Sequence, residues 1–286
     1  MLNVNIWKNR SRERGAQPLG AGRGGDGRAE RRHGRAGDAF RPRRDRVEIL
    51  DERGAAALGK PRGKYYTLEL ASRFERGAES FPDAAAAVAE LISRCAGDFG
   101  DNPVLIAALG NPDITPDALG SLAADHIIVT RHLKGEPGFE AFRATALCRT
   151  GVLGTTGVES ARQIKTLCAE LHPALVIAID ALAGSDLSRL CRSVQVCDAG
   201  IAPGSGVGND REKLDRAFLG VPVVAIGVPT VIDAAAFTDE PGVGAMFVTP
   251  RGIDSSVRAA GRLIGYGVDL ALHRALSVAD IDMLVG

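Results

Sequence analysis

Two aspartates stand where a carboxylate could do acid–base chemistry. Asp180 ends the apolar run "LVIAID" and is followed by the small-residue tail "ALAG". A lone carboxylate taken out of water either finds a partner or raises its pKa and keeps its proton. Asp117 lies in "TPDALG", two residues past Thr115, a helix-capping residue type. Two close acids cannot both ionise, so they share a proton and can act as base and acid toward an attacking water. Each residue also has a plainer reading. Asp117 suits the dipole of a helix N-terminus, and Asp180 is then only the polar end of a strand. Asp198 and Asp233 also follow apolar strands, so a rim rich in acids is expected.

The loop "PGSGVGN" (203–209) is the other conspicuous segment. It is neither a Walker-type phosphate loop nor G-x-G-x-x-G, since its glycines alternate at Gly204, Gly206 and Gly208. Such glycines allow left-handed turns and close backbone approach. Gly204, Ser205, Gly206 and Gly208 are therefore candidates to meet a peptide through their backbone N–H groups. Ser205 lacks the G-x-S-x-G elbow of a nucleophilic serine. His126 and His132, six apart, match no ligand spacing, so no metal and no cofactor are expected. Five cysteines without a C-x-x-C pair read as buried thiols rather than as disulfides or a zinc site.

The elements that must position these residues alternate. "RVEIL" (46–50), "GKYYTLEL" (63–70), "VLIAALG" (104–110), "IIVTRHL" (127–133), "ALVIAID" (174–180), "SVQVCDAG" (193–200) and "GAMFVTP" (244–250) read as strands, and "VPVVAIGVPTVID" (221–233) as a strand plus loop. Helices are expected over 83–97, over 115–127 with a Thr115 cap and Pro116 in the first turn, over 156–171 with a Thr156-x-x-Glu159 capping box, and over 253–273, weakened by its glycines. Strands alternating with helices imply an α/β layered fold, a largely parallel sheet flanked by helices. Ligands of such sheets bind outside the carboxyl ends of the strands. That rule puts "GNPDITPD", "IDALAG" and "DAGIAPGSGVGN" on one rim.

Composition bounds the rest. The 286 residues are 45% apolar and 24% charged, as in ordinary globular proteins. No apolar run reaches the roughly 18–20 residues that span a bilayer, and no secretory core opens the chain, so a cytoplasmic protein without a membrane partner is expected. The net charge of zero hides an asymmetry: residues 1–46 hold 13 Lys/Arg against 5 Asp/Glu. This Arg- and Gly-rich stretch lacks apolar periodicity, and residues 1–44 are expected to be a disordered basic tail ahead of a single domain over 45–286. It carries no aromatic interleaving or base-reading motif, so no nucleic-acid partner is expected.

"ALGNPDITPDALG", "TGVLGTTGVES", "LVIAIDALA", "DAGIAPGSGVGNDR", "LGVPVVAIGVPTVIDA" and "FVTPRGID" occur in one order. From about residue 46 onward this ordered set resembles the spore germination proteases of endospore-forming bacteria. The resemblance implies an endopeptidase that begins the degradation of small acid-soluble spore proteins in the spore core or forespore. It also implies a zymogen with a short propeptide, a homotetramer, and an α/β fold similar to that of the hydrogenase maturation proteases. It implies an atypical aspartic-type protease as well, with Asp117 and Asp180 as the catalytic acids. The chain departs from the family pattern in three places. The "RTDLA"-like start is absent, and residues 1–44 read like another frame of a GC-rich gene. Gly184–Ser185 stand where "ALAAR" has its arginine. The insertion before "VTP" is shortened to "AAFTDEPGVGAM". Two other readings fit the same residues: a metal-dependent maturation-type protease on this fold, or an inactive relic that binds small acid-soluble proteins without cutting them.

Overall fold

The computed structural model describes residues 43–70, 80–204, 211–237 and 246–285. Its frame is one mixed sheet with helices on both faces. The strands are β1 (Arg43–Ile49), β2 (Gly63–Glu69), β3 (Val104–Leu109), β4 (Thr145–Gly151), β5 (Leu175–Gly184), β6 (Ser193–Cys197), β7 (Val223–Asp233) and β8 (Phe247–Val248). Their order is β1-β2-β6-β7-β5-β3-β4, with β8 paired to β7. The run β7-β5-β3-β4 is parallel, whereas β1-β2, β2-β6, β6-β7 and β7-β8 are antiparallel. The α/β class with a largely parallel sheet is as the sequence predicts.

Alternation along the strands sorts the core into two layers. Ile106, Ile177, Ile179, Val194, Val196, Val224 and Ile226 join one cluster with α2 (Phe81–Ala96), α3 (Leu119–Ala124), α7 (Ile253–Leu272) and α8 (Val278–Val285). On the opposite face Leu105, Ala107, Leu109, Val176, Ala178 and Val223 pack with α5 (Ser160–Leu171) and α6 (Arg216–Leu219). The glycines of α7 cost helix propensity, but they let α7 approach its neighbours: a Cβ on Gly265 would lie 2.7 Å from His126 Cβ, and one on Gly267 2.5 Å from Val88 Cγ1.

Several elements differ from the sequence reading. Residues 127–133 form no strand. Ile127 is buried against the α2/α7 layer, and the Ile128 N–H is taken by the Asp269 carboxylate of α7 at 3.0 Å. Thr130 N–H goes to Thr145 O, and Arg131–Leu133 make a 3-10 turn. The strand that pairs with β3 is instead β4, whose "TALCRTG" has too mixed a burial to advertise itself. The helix expected over 115–127 is split into a 3-10 turn, Thr115–Asp117, and α3. Thr115 does not cap it, because its hydroxyl donates to Asp254 at the start of α7. The Thr156–Glu159 capping box is also absent. α4 (Leu153–Thr156) ends there, α5 starts after Glu159 without a side-chain cap, and Thr156 Oγ1 accepts from Val158 N. The segment 221–233 is strand almost throughout, β6 stops at Cys197, and α1 (Glu52–Leu58) and α8 were not read from the sequence. Of the expected basic tail, residues 1–42 lie outside the described residues.

Gly120 fixes how closely the first turn of α3 sits on the sheet. A Cβ there would fall 2.3 Å from Leu109 O and 2.7 Å from Ile179 O, both backbone atoms. Overpacking of this kind costs about 1–3 kcal/mol. Gly120→Ala is therefore expected to lower Tm by roughly 2–10 °C in a calorimetric melt, and an unchanged melt would refute this close fit.

Candidate active site

Asp180 and Asp117 reach the same place by different routes. β5 is fully buried from Leu175 to Asp180 and half-buried beyond it, so Asp180 is the last residue inside the core. Its parity puts it on the α5/α6 face, in line with Val176 and Ala178. It is only 4% exposed, and its Oδ1 accepts from the next N–H, that of Ala181, at 3.0 Å. Asp117 comes from the loop that follows β3. The chain turns back at Gly110, whose φ of 95° belongs to the left-handed region and where a Cβ would lie 2.0 Å from Asp117 O. The 3-10 turn is closed by Asp117 N–H to Ile114 O at 2.7 Å, and Asp117 Oδ2 accepts from Asn111 N at 2.7 Å.

The electrostatics separate the two acids. Burial raises Asp180 to about 8, the charge of Asp117 adds to this, and the Ala181 N–H and Arg211 oppose it. Asp117 is also raised by burial, against the Asn111 N–H and Arg211. Asp117 thus loses its proton first, and its charge then holds the proton on Asp180. Arg211 was not singled out from the sequence. It is one of three cations in "DREKLDR" after the glycine loop, and only the fold brings its charge to bear on both carboxylates. Its neighbour Glu212 is held to Arg162 of α5 by two contacts of 3.1 Å.

The glycine loop is placed differently from the sequence expectation. β6 is antiparallel to β7, so its carboxyl end points away from the rim where β5 ends. Asp198 accordingly sits at the far end, where it accepts from Lys64 N. The chain then returns over the α5/α6 face: Ile201 bridges to Leu214, and Arg211 comes into Coulombic reach of the acids. Gly204 has φ 70°, while Ser205, Gly206 and Gly208 lie outside the described residues. Asp233 caps the turn after β7 through Ala235 N. His126 packs near the Tyr266 ring at 6.2 Å, and His132 is exposed. Among the described residues no cluster of three or more His, Cys, Asp or Glu is arranged to hold a metal ion. All five cysteines are free thiols, and burial pushes Cys168, Cys191 and Cys197 up to about 11. Where the family's arginine is missing, Gly184 closes β5 and Ser185 is exposed.

The family model described as germination protease matches residues 43–243, which include Asp117, Asp180 and Arg211. The chain belongs to the germination protease family. A germination protease of Caldanaerobacter subterraneus is 36% identical over 283 residues, covering 84% of this chain and 87% of the relative. One from Clostridium perfringens is 32% identical over 279 residues, covering 82% and 86%. One from Bacillus cereus is 40% identical over 197 residues, covering 67% of this chain and 54% of its own. Membership in the germination protease family makes the chain a peptidase of spore germination. No helix among the described residues is long and apolar enough to cross a membrane.

The buried acid leaves a signature in stability. The folded chain keeps the Asp180 proton up to about pH 8, whereas the unfolded chain gives it up near the ordinary value. Folded stability from this group is complete at low pH and is lost as pH rises from about 4 toward about 8. Asp180→Asn removes that loss. Its Tm advantage over the parent is expected to grow by several degrees from about pH 4 to 8 and then level off. Parallel Tm–pH curves for the two chains would show that Asp180 ionises normally.

Proposed function

We propose that the chain is an endopeptidase that cuts small acid-soluble spore proteins during germination, with Asp117 and Asp180 as the working carboxylate pair. The observation that carries this reading is a buried carboxyl within β5, where that strand leaves the core, whose pKa burial pushes up to about 8 in the field of a second, less strongly raised acid. Family membership supplies the peptide bond as the reacting group.

In this mechanism ionised Asp117 is the base and protonated Asp180 the acid. Asp117 takes a proton from a water whose oxygen attacks the scissile carbonyl carbon. Asp180 donates to the carbonyl oxygen as negative charge builds there. When the tetrahedral intermediate collapses, Asp180 recovers its proton from that oxygen. Asp117 passes its own to the leaving nitrogen, which restores both groups. Arg211 keeps Asp117 ionised at lower pH than burial alone would allow. Backbone N–H groups of the Gly204, Ser205, Gly206 and Gly208 loop are assigned to the substrate, in keeping with the flanking Ile201 and Leu214, which pack on the same face. Maturation from a zymogen, a homotetrameric assembly and a location in the spore core belong to this reading through the family. The described residues offer no observation that favours the metal-dependent or the non-catalytic alternative over the carboxylate pair.

Asp117→Asn and Asp180→Asn are each expected to lower kcat on a small acid-soluble spore protein by about 10²–10⁴-fold, read by intact-mass analysis of the fragments. Near-parental turnover in both variants would discard the pair. The pH profile of kcat/KM should be bell-shaped, falling on the alkaline side near 8 as Asp180 ionises. Arg211→Gln should move the acid limb to higher pH, because Asp117 then loses a cation that lowers its pKa. An acid limb unmoved in that variant would remove Arg211 from the site.

A further inference from the structure

The chain that carries Asp117 leaves the sheet early. β3 pairs with β5 only from Val104 to Ala108, opposite Leu175 to Ile179. At Gly110 it turns away, and through the 3-10 turn it climbs into α3, whose Leu119 and Ala123 join the α2/α7 layer. β5 does not stop with its neighbour, but stays paired with β7 as far as Gly184. Among the described residues, Ala181–Gly184 are therefore laddered on the β7 side alone, and all four are half-buried. Strand alternation tells which main-chain groups this leaves over. The Val176 N–H goes to Pro222 O, on the β7 side. Successive residues of a strand turn their N–H and C=O to opposite edges, so Ala181 and Ala183 turn theirs to the lane that β3 has vacated. The one irregularity in the β5–β7 pairing adds a residue to β7, Thr230, and leaves this order intact. Asp180 Oδ1 takes the Ala181 N–H at 3.0 Å. The Ala181 C=O and the N–H and C=O of Ala183 then line the edge.

We infer that this edge receives the substrate polypeptide as an added strand, whose main-chain hydrogen bonds with Ala181 and Ala183 set the scissile bond against Asp180 and Asp117; the inference rests on the carboxylate-pair reading. Proteins commonly guard an open edge with Lys, Pro or a covering element. The segment "ALAG" carries only small or apolar residues and no such guard. A strand added to an edge draws its affinity from main-chain bonds common to every sequence. Place fixes the occupant: the edge starts at the residue after Asp180 and continues the line of β3, whose following loop delivers Asp117. In the sheet order β5-β3-β4, the turn after β4 flanks the far side of this lane and exposes the apolar Leu153 and Val158. The substrate is therefore cut where its chain is extended. A segment held in a helix, or with Pro at a paired position, escapes cleavage.

Overlapping peptides of a small acid-soluble spore protein are screened by fluorescence polarisation in the Asp180→Asn background, where they stay intact and Asn keeps an oxygen for the Ala181 N–H. The tightest binder is remade with one N-methyl group at each residue in turn. Methyl groups on alternate residues are expected to weaken binding at least about tenfold, and those between them less than about threefold, since every second N–H of an added strand faces the edge. Ala183→Pro removes a donor from the edge and should weaken the unmodified peptide about tenfold. A circular dichroism melt establishes that this variant is folded. Hydrogen exchange decides the matter should it not fold: bound peptide should slow exchange across residues 181–184 at least about tenfold. The absence of any binding peptide, a scan without alternation, unchanged affinity in folded Ala183→Pro, or exchange at 181–184 that the peptide does not slow would each overturn the added strand. Failure of the carboxylate pair is read separately, as undiminished turnover of Asp180→Asn on the intact protein.

Discussion

The site depends on the cost of holding a carboxylate where a strand leaves the core: β5 does not stop at Asp180, as the sequence suggests, but stays paired with β7 as far as Gly184. β5 cannot leave the core without carrying Asp180 to its edge, where the carboxyl is 4% exposed and accepts from the Ala181 N–H. Such a group minimises its free energy by staying neutral. The neighbouring acid, Asp117, is better supplied, with the Asn111 N–H and the field of Arg211. Two chemically identical groups are thereby given different proton affinities by environment alone, the difference on which the proposed mechanism rests. The left-handed turn at Gly110 and the close seat of Gly120, in α3, serve this division, since they hold the Asp117 turn against the backbone of β3 and β5.

The antiparallel half of the sheet contributes in a different way. A wholly parallel sheet would send the loop after β6 out from the same rim as β5. With β6 reversed, the chain leaves at the far end and has to come back across the α5/α6 face to reach Asp215 and α6. Ile201 pairs there with Leu214, and Arg211 comes within electrostatic reach of the acids. Strand polarity therefore decides which cation the acids meet. The α5 helix steadies this path through Arg162 and Glu212, an exposed pair whose value lies in placement more than in stability.

Much of this was legible in the chain itself. β2, β3, β5, β7, α2 and α7 announce themselves through apolar runs and periodicity, because each is buried over most of its length. The acid at the end of "LVIAID" is conspicuous for the same reason, since a strand that apolar should not end on a charge. What was misread shares one cause. "IIVT" has every local preference of a strand, yet α7 claims its backbone through Asp269, while the half-exposed "TALCRTG" takes the place beside β3. Thr115 and Thr156 are good capping residues whose hydroxyl groups found other partners.

The sequence by itself determined the layered α/β class and the family, and it singled out the two aspartates and the glycine loop as candidates, since these rest on short-range pattern and on residue type. Only the tertiary structure decided that β6 runs backward, that Asp198 belongs to the opposite end from Asp180, and that Arg211 acts on both acids. Strand direction and cross-strand neighbours are set by contacts between segments tens of residues apart. Those contacts are fixed by how whole faces bury one another, and no local window of residues encodes that balance.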